Sequence, residues 1–184
     1  LGLAMSIANL KLTDTESENH EGTEAIKAII LRLRAIANVH DILSKQDGID
    51  SIPIASYLPA LLSELERGFG LSITAINVEE TVRGIAIESR IATTIGLCTS
   101  EILTNIAKYN RIGAREPCVT VDIATEQSCL FVDFAVNQGT VEARTTREST
   151  GLGSTILTTL TEQYGGRYVI VSTAPPRLRL TFRL

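Results

Sequence analysis

The apolar residues of this chain follow a helical repeat at its start and an alternating repeat later on. Apolar positions in Leu1–Leu12 and in Thr23–Gln46 recur every three or four residues, which predicts two amphipathic helices. A polar connector at residues 13–22 separates them. Two such helices cannot bury both apolar stripes alone. The pattern therefore predicts a helical hairpin over residues 1–50 that dimerises, through residues 1–46, into a four-helix bundle.

A third predicted helix precedes a change of pattern. Apolar positions from Ile54 to Arg67 indicate a connecting helix within residues 51–70. Between residues 71 and 184, two periodic segments predict helices at Arg90–Tyr109 and Leu152–Tyr164. Helices grouped with short strands predict an α+β fold, in which the hairpin precedes a two-layer α/β sandwich with a mixed, mostly antiparallel sheet. The predicted strands lie at residues 71–77, 84–88, 119–124, 130–136, 168–172 and 178–183.

Composition fits a folded protein and argues against several classes. Of the 184 residues, 44% are hydrophobic and 21% are charged, which is ordinary for a globular chain. The net charge of −4 provides no basic footprint, so we expect no nucleic acid partner. No apolar run approaches the roughly 20 residues that a membrane span needs. Three cysteines, Cys98, Cys118 and Cys129, lie in apolar stretches without metal-ligand spacing, which predicts buried free thiols in a cytoplasmic protein.

The most informative segment lies in the first helix of the predicted sandwich. A carboxylate, a carboxamide, an ammonium and a phenol share one helical face there, at positions i, i+4, i+7 and i+8: Glu101, Asn105, Lys108 and Tyr109. Glu and Asn supply hard oxygen ligands for Mg²⁺ or its waters, and Lys supplies a point charge for phosphate. A face that only meets solvent often carries the same residue types. This face is a candidate site for a metal ion and a polyphosphate.

Two loop motifs are further candidates. Gly151-Leu152-Gly153 directly precedes an apolar helix, and its glycines allow backbone N–H groups to approach a phosphate at the helix N-terminus. A simple helix-starting turn has the same pattern. Asn137-Gln138-Gly139 ends an apolar strand, where a polar side chain can meet the edge of a base in a pocket. A strand-ending turn is the alternative explanation.

The order of these motifs resembles a known domain. The order is polar helix, two strands, Asn-x-Gly, Gly-Leu-Gly, helix and two closing strands. It resembles the ATP-binding domain shared by sensor histidine kinases, type II topoisomerases, Hsp90 chaperones and MutL-type repair proteins. In the first half, Arg34–Leu43 and Ile54–Leu61 resemble the dimerisation region of histidine kinases that include the HWE type. The chain is similar to a sensor histidine kinase catalytic core over nearly its whole length.

The resemblance implies roles for the candidate residues. Glu101 would act as the base or water-orienting carboxylate, and Asn105 would ligate Mg²⁺, to which Glu101 would be joined through water. With ATP and Mg²⁺ as cofactors, the domain would transfer the γ-phosphoryl group to a histidine by positioning and charge stabilisation. A response regulator would then receive the phosphate on an aspartate. The other residues implied to contact the nucleotide are Lys108, Tyr109, Asn137, Gly139, Gly151, Leu152 and Gly153.

The sequence departs from the family pattern beside the implied adenine pocket. Asn137 stands where the family carries an aspartate that accepts a hydrogen bond from the adenine amino group, and asparagine lacks the charge. Thr140 follows Gly139 where the family has a second glycine, and the lid segment Thr140–Thr150 has only 11 residues. A second hypothesis is therefore a pseudokinase, a phosphotransfer or partner-binding scaffold without ATP turnover. A third is an anti-sigma-type serine kinase, which would lack a dimerising hairpin.

The phosphoacceptor histidine has two candidate locations. The resemblance places it on the first helix just before Leu1, so the hairpin is expected to be truncated at its amino end. His40 lies on the apolar stripe of the second helix and precedes Asp41, which resembles the His–acid pair of other kinase subfamilies. A packed core histidine would occupy the same position.

Overall fold

A computed structural model describes residues 30, 33, 37, 51–69, 71–109, 116–137 and 152–184. The three isolated positions, Ile30, Leu33 and Ala37, are helical, and Ile30 is buried. The rest of the predicted hairpin, with its dimer contacts and His40, lies outside the described residues. So does the predicted lid segment.

Each helix and strand predicted between residues 54 and 183 is present, with bounds within two residues of those expected. Sequence analysis missed the first strand and a short 3-10 helix. In chain order the elements are β1 (Ser51–Pro53), α1 (Ile54–Phe69), β2 (Ser72–Val78), the 3-10 helix (Glu80–Val82), β3 (Ala86–Glu88), α2 (Ser89–Tyr109), β4 (Cys118–Glu126), β5 (Cys129–Val136), α3 (Leu152–Gln163), β6 (Arg167–Thr173) and β7 (Pro176–Arg183).

Five of the strands form one sheet, in the spatial order β2, β4, β5, β7 and β6. β2 pairs with β4 in parallel, and the other three pairings are antiparallel. The prediction of an α+β fold with a mixed, mostly antiparallel sheet is therefore confirmed. β1 and β3 form a separate antiparallel pair, which ties the segment before α1 to the segment before α2.

One face of the five-stranded sheet is buried. Side chains alternate along a strand, so Leu130 and Phe134 of β5 are fully buried while Phe131 between them is only half-buried. The buried face joins the helices in a single hydrophobic cluster. α1 contributes Leu61 and Leu65, among others, to this cluster. The connecting helix thus shares its core with the sandwich.

Two hydrogen bonds fix α1 to its neighbours. The Tyr57 hydroxyl donates to the Ala92 carbonyl of α2 over 2.8 Å, and burial raises the pKa of this phenol, so it stays protonated as a donor. The Glu66 carboxylate accepts the Ile73 N–H of β2 over 2.7 Å. The first bond joins residues distant in sequence and sets the position of α1 against the helix that carries the candidate site. The second ties the end of α1 to the strand that follows it.

The three cysteines are free thiols, as predicted, but only Cys98 is fully buried. Cys118 and Cys129 are half-buried, so the prediction of three buried cysteines is wrong for these two. Val119 and Leu130, their neighbours along the strands, point into the core. Alternation therefore directs Cys118 and Cys129 to the opposite face of the sheet.

A hydroxyl group on α2 lacks a hydrogen-bond partner. Thr99 is fully buried, and its Oγ1 is without a partner among the described groups. Thr94 on the same helix is also buried, but its hydroxyl donates to the Arg90 carbonyl over 2.9 Å. An unpaired buried hydroxyl costs about 1–3 kcal/mol of desolvation free energy.

We predict that Thr99→Val raises the free energy of unfolding by about 1 kcal/mol, because valine keeps the side-chain shape and removes the unpaired hydroxyl. For a chain of this length, the midpoint of thermal unfolding should rise by about 2–4 °C. Differential scanning calorimetry measures the change. Thr94→Val is the matched control and should not stabilise the protein, because its hydroxyl is already paired. An unchanged midpoint for Thr99→Val would contradict the prediction.

Candidate functional site

α2 places Glu101 and Asn105 one turn apart on the same side of the helix. Glu101 is only 5% exposed and Asn105 is half-buried. Ile102 and Ile106, the residues that follow each of them, are fully buried in the core. The two polar side chains therefore lie at the margin of the core, where a buried carboxylate is stable only with compensating interactions. Glu101 does interact with neighbouring groups of the fold.

The charge of Glu101 acts on Cys98, one turn earlier in α2. Burial in the core, and to a lesser extent the Glu101 carboxylate, raise the pKa of the Cys98 thiol to about 12. The thiol is therefore protonated at neutral pH, and a protonated thiol is a poor nucleophile. Cys98 is a packing residue, and the reactive group that α2 offers at this turn is the carboxylate.

The remaining candidate residues lie at element ends. Lys108 and Tyr109 form the last turn of α2, and Leu152 and Gly153 begin α3. The other two glycines implied to bind the nucleotide, Gly139 and Gly151, lie outside the described residues.

Asn137 directly follows β5 and is exposed. Its backbone N–H donates to the Cys118 carbonyl at the start of β4 over 3.0 Å, which extends the β4–β5 pairing by one residue. The backbone donor is thus used by the sheet. The side chain is the group that Asn137 can offer to a ligand.

The candidate motifs lie on elements that are connected or packed against each other. The carboxyl end of α2 leads through residues 110–117 to the start of β4, which bonds Asn137. The amino end of α3 follows Asn137 along the chain, and α3 leads at its other end through a short turn into β6. α2 and α3 pack against each other. The two helices that carry candidate residues are therefore neighbours in the fold.

These groups suit a ligand that brings its own metal ion. In the described part of the chain, no three His, Cys, Asp or Glu side chains are grouped so as to hold a metal ion. Mg²⁺ commonly takes only one or two protein ligands and completes its shell with water and substrate phosphates. The oxygen donors of Glu101 and Asn105 fit that role. A helix start such as that of α3 favours phosphate groups.

Sequence analysis assigned no role to Tyr57, which the structure shows to hold α2 in place. Its hydroxyl bonds the Ala92 carbonyl in the first turn of α2, about two and a half turns before Glu101 begins the candidate face. The available signal was a single aromatic residue in the apolar stripe of α1. That signal does not reveal which helix the hydroxyl reaches.

Comparison with known proteins agrees with this fold. Residues 1–69 match the model of a family described as histidine kinase. The histidine kinase domain of the blue-light-activated histidine kinase from Erythrobacter litoralis superposes with a TM-score of 0.71 at 16% identity, over 96% of this chain and 95% of that domain. The chain has the fold of a histidine kinase catalytic core. The predicted resemblance is thereby confirmed.

Further solved structures show the same fold. A longer form of the Erythrobacter litoralis kinase matches all of this chain with a TM-score of 0.65 at 18% identity, and the chain spans 58% of its length. The Acinetobacter baumannii histidine kinase AdeS matches with a TM-score of 0.56 at 10% identity, over 98% of this chain and 93% of that one. A comparison with curated proteins finds no match. Among the described helices of this histidine kinase fold, none is long and apolar enough to cross a membrane.

The thiol of Cys98 predicts how the stability of this fold depends on pH. Its ordinary pKa of 9.0 is raised to about 12 in the folded state. Below pH 9 the thiol is protonated in both the folded and the unfolded chain. Between pH 9 and about 12 only the unfolded chain releases the proton. The free energy of unfolding should therefore fall, by about 1.4 kcal/mol between pH 8 and 10 from this group.

Urea unfolding at pH 8, 9 and 10 measures this dependence. Cys98→Ala should remove this contribution and flatten the decline, whatever its effect on stability at pH 8. Cys129→Ala, at a half-buried cysteine, is the matched control and should keep the wild-type slope. Equal slopes in wild type and Cys98→Ala would show that the prediction is wrong.

Proposed function

We propose that this chain is the core of a histidine protein kinase in a two-component signalling system. It binds ATP with Mg²⁺, phosphorylates a histidine and relays the phosphate to an aspartate of a response regulator. The observation that carries the proposal is the pairing of Glu101 with Asn105 on α2, within a histidine kinase fold. Burying a carboxylate costs free energy, so a buried carboxylate one turn from a half-buried carboxamide is not explained as a solvent-facing pair. A nucleotide site would use both groups.

Each side chain has a proposed task in this site. Asn105 would offer its carbonyl oxygen to Mg²⁺, and Glu101 would act as the base or orient a water of the ion. Lys108 contacts phosphate, and the backbone at Gly151, Leu152 and Gly153 binds phosphate oxygens at the start of α3. Bound Mg²⁺ would neutralise charge on the β- and γ-phosphates. Catalysis then rests on holding the γ-phosphoryl group in line with the histidine.

The remaining segments are assigned the roles that a histidine kinase core requires. Residues 1–50 form the dimerising hairpin, with the homodimer made through residues 1–46, and residues 51–70 connect it to the sandwich at residues 71–184. Within residues 1–50, His40 is the candidate phosphoacceptor. The kinase acts in the cytoplasm. The match of residues 1–69 to the histidine kinase family supports this division.

A scaffold without ATP turnover is the second candidate, and Asn137 is the residue that favours it. Asn137 would have to recognise adenine through its exposed side chain, because its backbone N–H is bonded within the sheet. That side chain carries no negative charge. Hydrogen bonds to a charged acceptor are roughly twice as strong as neutral ones. This change weakens adenine recognition and leaves the groups on α2 intact.

We predict that the full chain binds ATP in the micromolar range, that binding requires Mg²⁺, and that Asn105→Ala weakens it at least tenfold, or about 1.4 kcal/mol. The carboxamide oxygen is the proposed ligand of the ion, and alanine has none. Isothermal titration calorimetry with and without Mg²⁺ provides the measurement. Asn77→Ala is the matched control: Asn77 is exposed on the far face of the sheet, where it donates to Asp122 over 2.7 Å. No binding by wild type at millimolar ATP would eliminate the kinase proposal.

Replacing Asn137 separates the two candidate functions. If the natural residue suffices for adenine recognition, Asn137→Asp should change the ATP affinity by less than about threefold, or 0.7 kcal/mol. Asn137→Ala, which removes the acceptor, should weaken binding. Both affinities come from the same calorimetric titration. A gain of tenfold or more in Asn137→Asp would instead indicate that the natural chain is a scaffold with an impaired adenine pocket.

A further inference from the structure

The face of the five-stranded sheet opposite the helices carries charges of opposite sign on the two sides of its central strand. We call it the outer face. On one side of β5, strand β4 presents the exposed carboxylates Asp122 and Glu126. On the other side, strand β7 presents the exposed guanidinium groups Arg177, Arg179 and Arg183. An acidic column and a basic column thus run along the two neighbours of β5.

The strand register places these charges in matching rows. Asp122 and Arg179 lie in one row, because both are Cα partners of Asp133 on β5. Glu126 and Arg183 lie in another row, because both are Cα partners of Cys129. Neighbouring strands are about 4.8 Å apart, so the acidic and basic columns lie at equal distances on either side of β5.

Contacts within the chain leave much of this charge available. Arg179 donates to Asp133 through Nε over 2.6 Å and through Nη2 over 2.8 Å, which neutralises the middle of the face. Asp122 accepts from the Asn77 amide, an uncharged donor that does not form an ion pair with the carboxylate. Within the described residues, no ion pair joins Glu126 or Arg183 to another side chain. The row of Glu126 and Arg183 therefore lacks an internal ion pair, although the Glu126 carboxylate is close enough to help raise the pKa of Arg179.

We propose that the outer face binds the outer face of a second copy of this chain. A two-fold axis parallel to β5 would bring β4 of one copy over β7 of the other, at the same level along the strands. Glu126 would then face Arg183 of the second copy, and Asp122 would face its Arg179. Because a two-fold interface repeats every contact, four oppositely charged pairs would form. The two pairs between Glu126 and Arg183 would contribute most, since Arg179 is already paired with Asp133. A rotation about any axis across the strands would instead oppose like charges.

The centre of the face suits the same arrangement. Phe131 on β5 is half-buried, and the Arg179 guanidinium lies 5.2 Å from the centroid of its ring. A two-fold axis along β5 brings the Phe131 rings of the two copies together. It also brings the two Asp133 carboxylates together, and the Arg179 of each copy offsets their charge. An aromatic centre with a charged rim is the usual composition of protein interfaces.

The size of the face predicts a weak association. Five strands about 4.8 Å apart and seven to eight residues long, at about 3.4 Å each, cover roughly 500–650 Å². A stable interface of standard size buries about 800 Å² on each partner. The outer-face pair should therefore form at high concentration and dissociate in salt, since exposed ion pairs are screened. It is distinct from the proposed dimer through residues 1–46, so the two together would join dimers into larger assemblies.

Charge reversal at one matched pair tests the proposal. Glu126→Lys and Arg183→Glu each create repulsion in a homotypic pair, and each should lower the association constant by about tenfold in sedimentation velocity at low salt. A 1:1 mixture of the two variants restores both attractive pairs, as does the double variant. Association should then return to within about threefold of wild type. Both positions are exposed, so the variants should remain folded.

Each outcome supports or overturns the inference. Loss in both single variants with recovery in the mixture and in the double variant establishes pairing of outer faces. Loss in Arg183→Glu alone would overturn it and indicate that the basic column binds an acidic partner of another kind. The proposed association should also make the average mass of the wild-type chain increase with concentration. An average mass that stays constant would overturn the inference, whether the constant species is a monomer or a dimer that these charges do not affect.

Discussion

α2 is packed by α1, α3 and the sheet, and this packing holds the Glu101 carboxylate at the margin of the core. The candidate site depends on that position. A carboxylate 5% exposed cannot be freely hydrated, and Glu101 interacts with groups of the fold before any ligand arrives. Asn105, one turn on, is more open to a ligand. Tyr57 secures the other end of the helix by its bond to Ala92. Pre-organisation of this kind is what phosphoryl transfer requires of a protein.

Periodicity was sufficient to predict the elements of the sandwich. Ser89–Tyr109 is a helix because its apolar residues recur every three or four positions, and β4 and β5 are strands because theirs alternate. The three-residue strand Ser51–Pro53 escaped prediction, since it is too short to alternate visibly and contains a proline. The half-burial of Cys118 and Cys129 follows from the same alternation, which composition alone conceals.

Contacts between distant elements could not be predicted, because they depend on tertiary geometry. The apolar stripe of α1 indicated a buried helix but not its partner, and the structure shows it inside the core of the sandwich. The candidate face on α2 was predictable because all its residues lie within nine positions of one helix. The approach of Asn137 to the start of β4 was not, since residues 119–136 intervene between the bonded groups. The roles of the site residues stay predictions.

The two faces of the sheet separate the proposed activities. A residue on β5 serves either the core or the outer face, because successive side chains point to opposite sides. Leu130 and Phe134 support the helices that carry the candidate site, whereas Phe131 and Asp133 belong to the outer face. Charge changes on the outer face therefore leave the packing of α2 unaltered. An association through that face would bring kinase cores together without covering the helices, so nucleotide binding and clustering would vary independently.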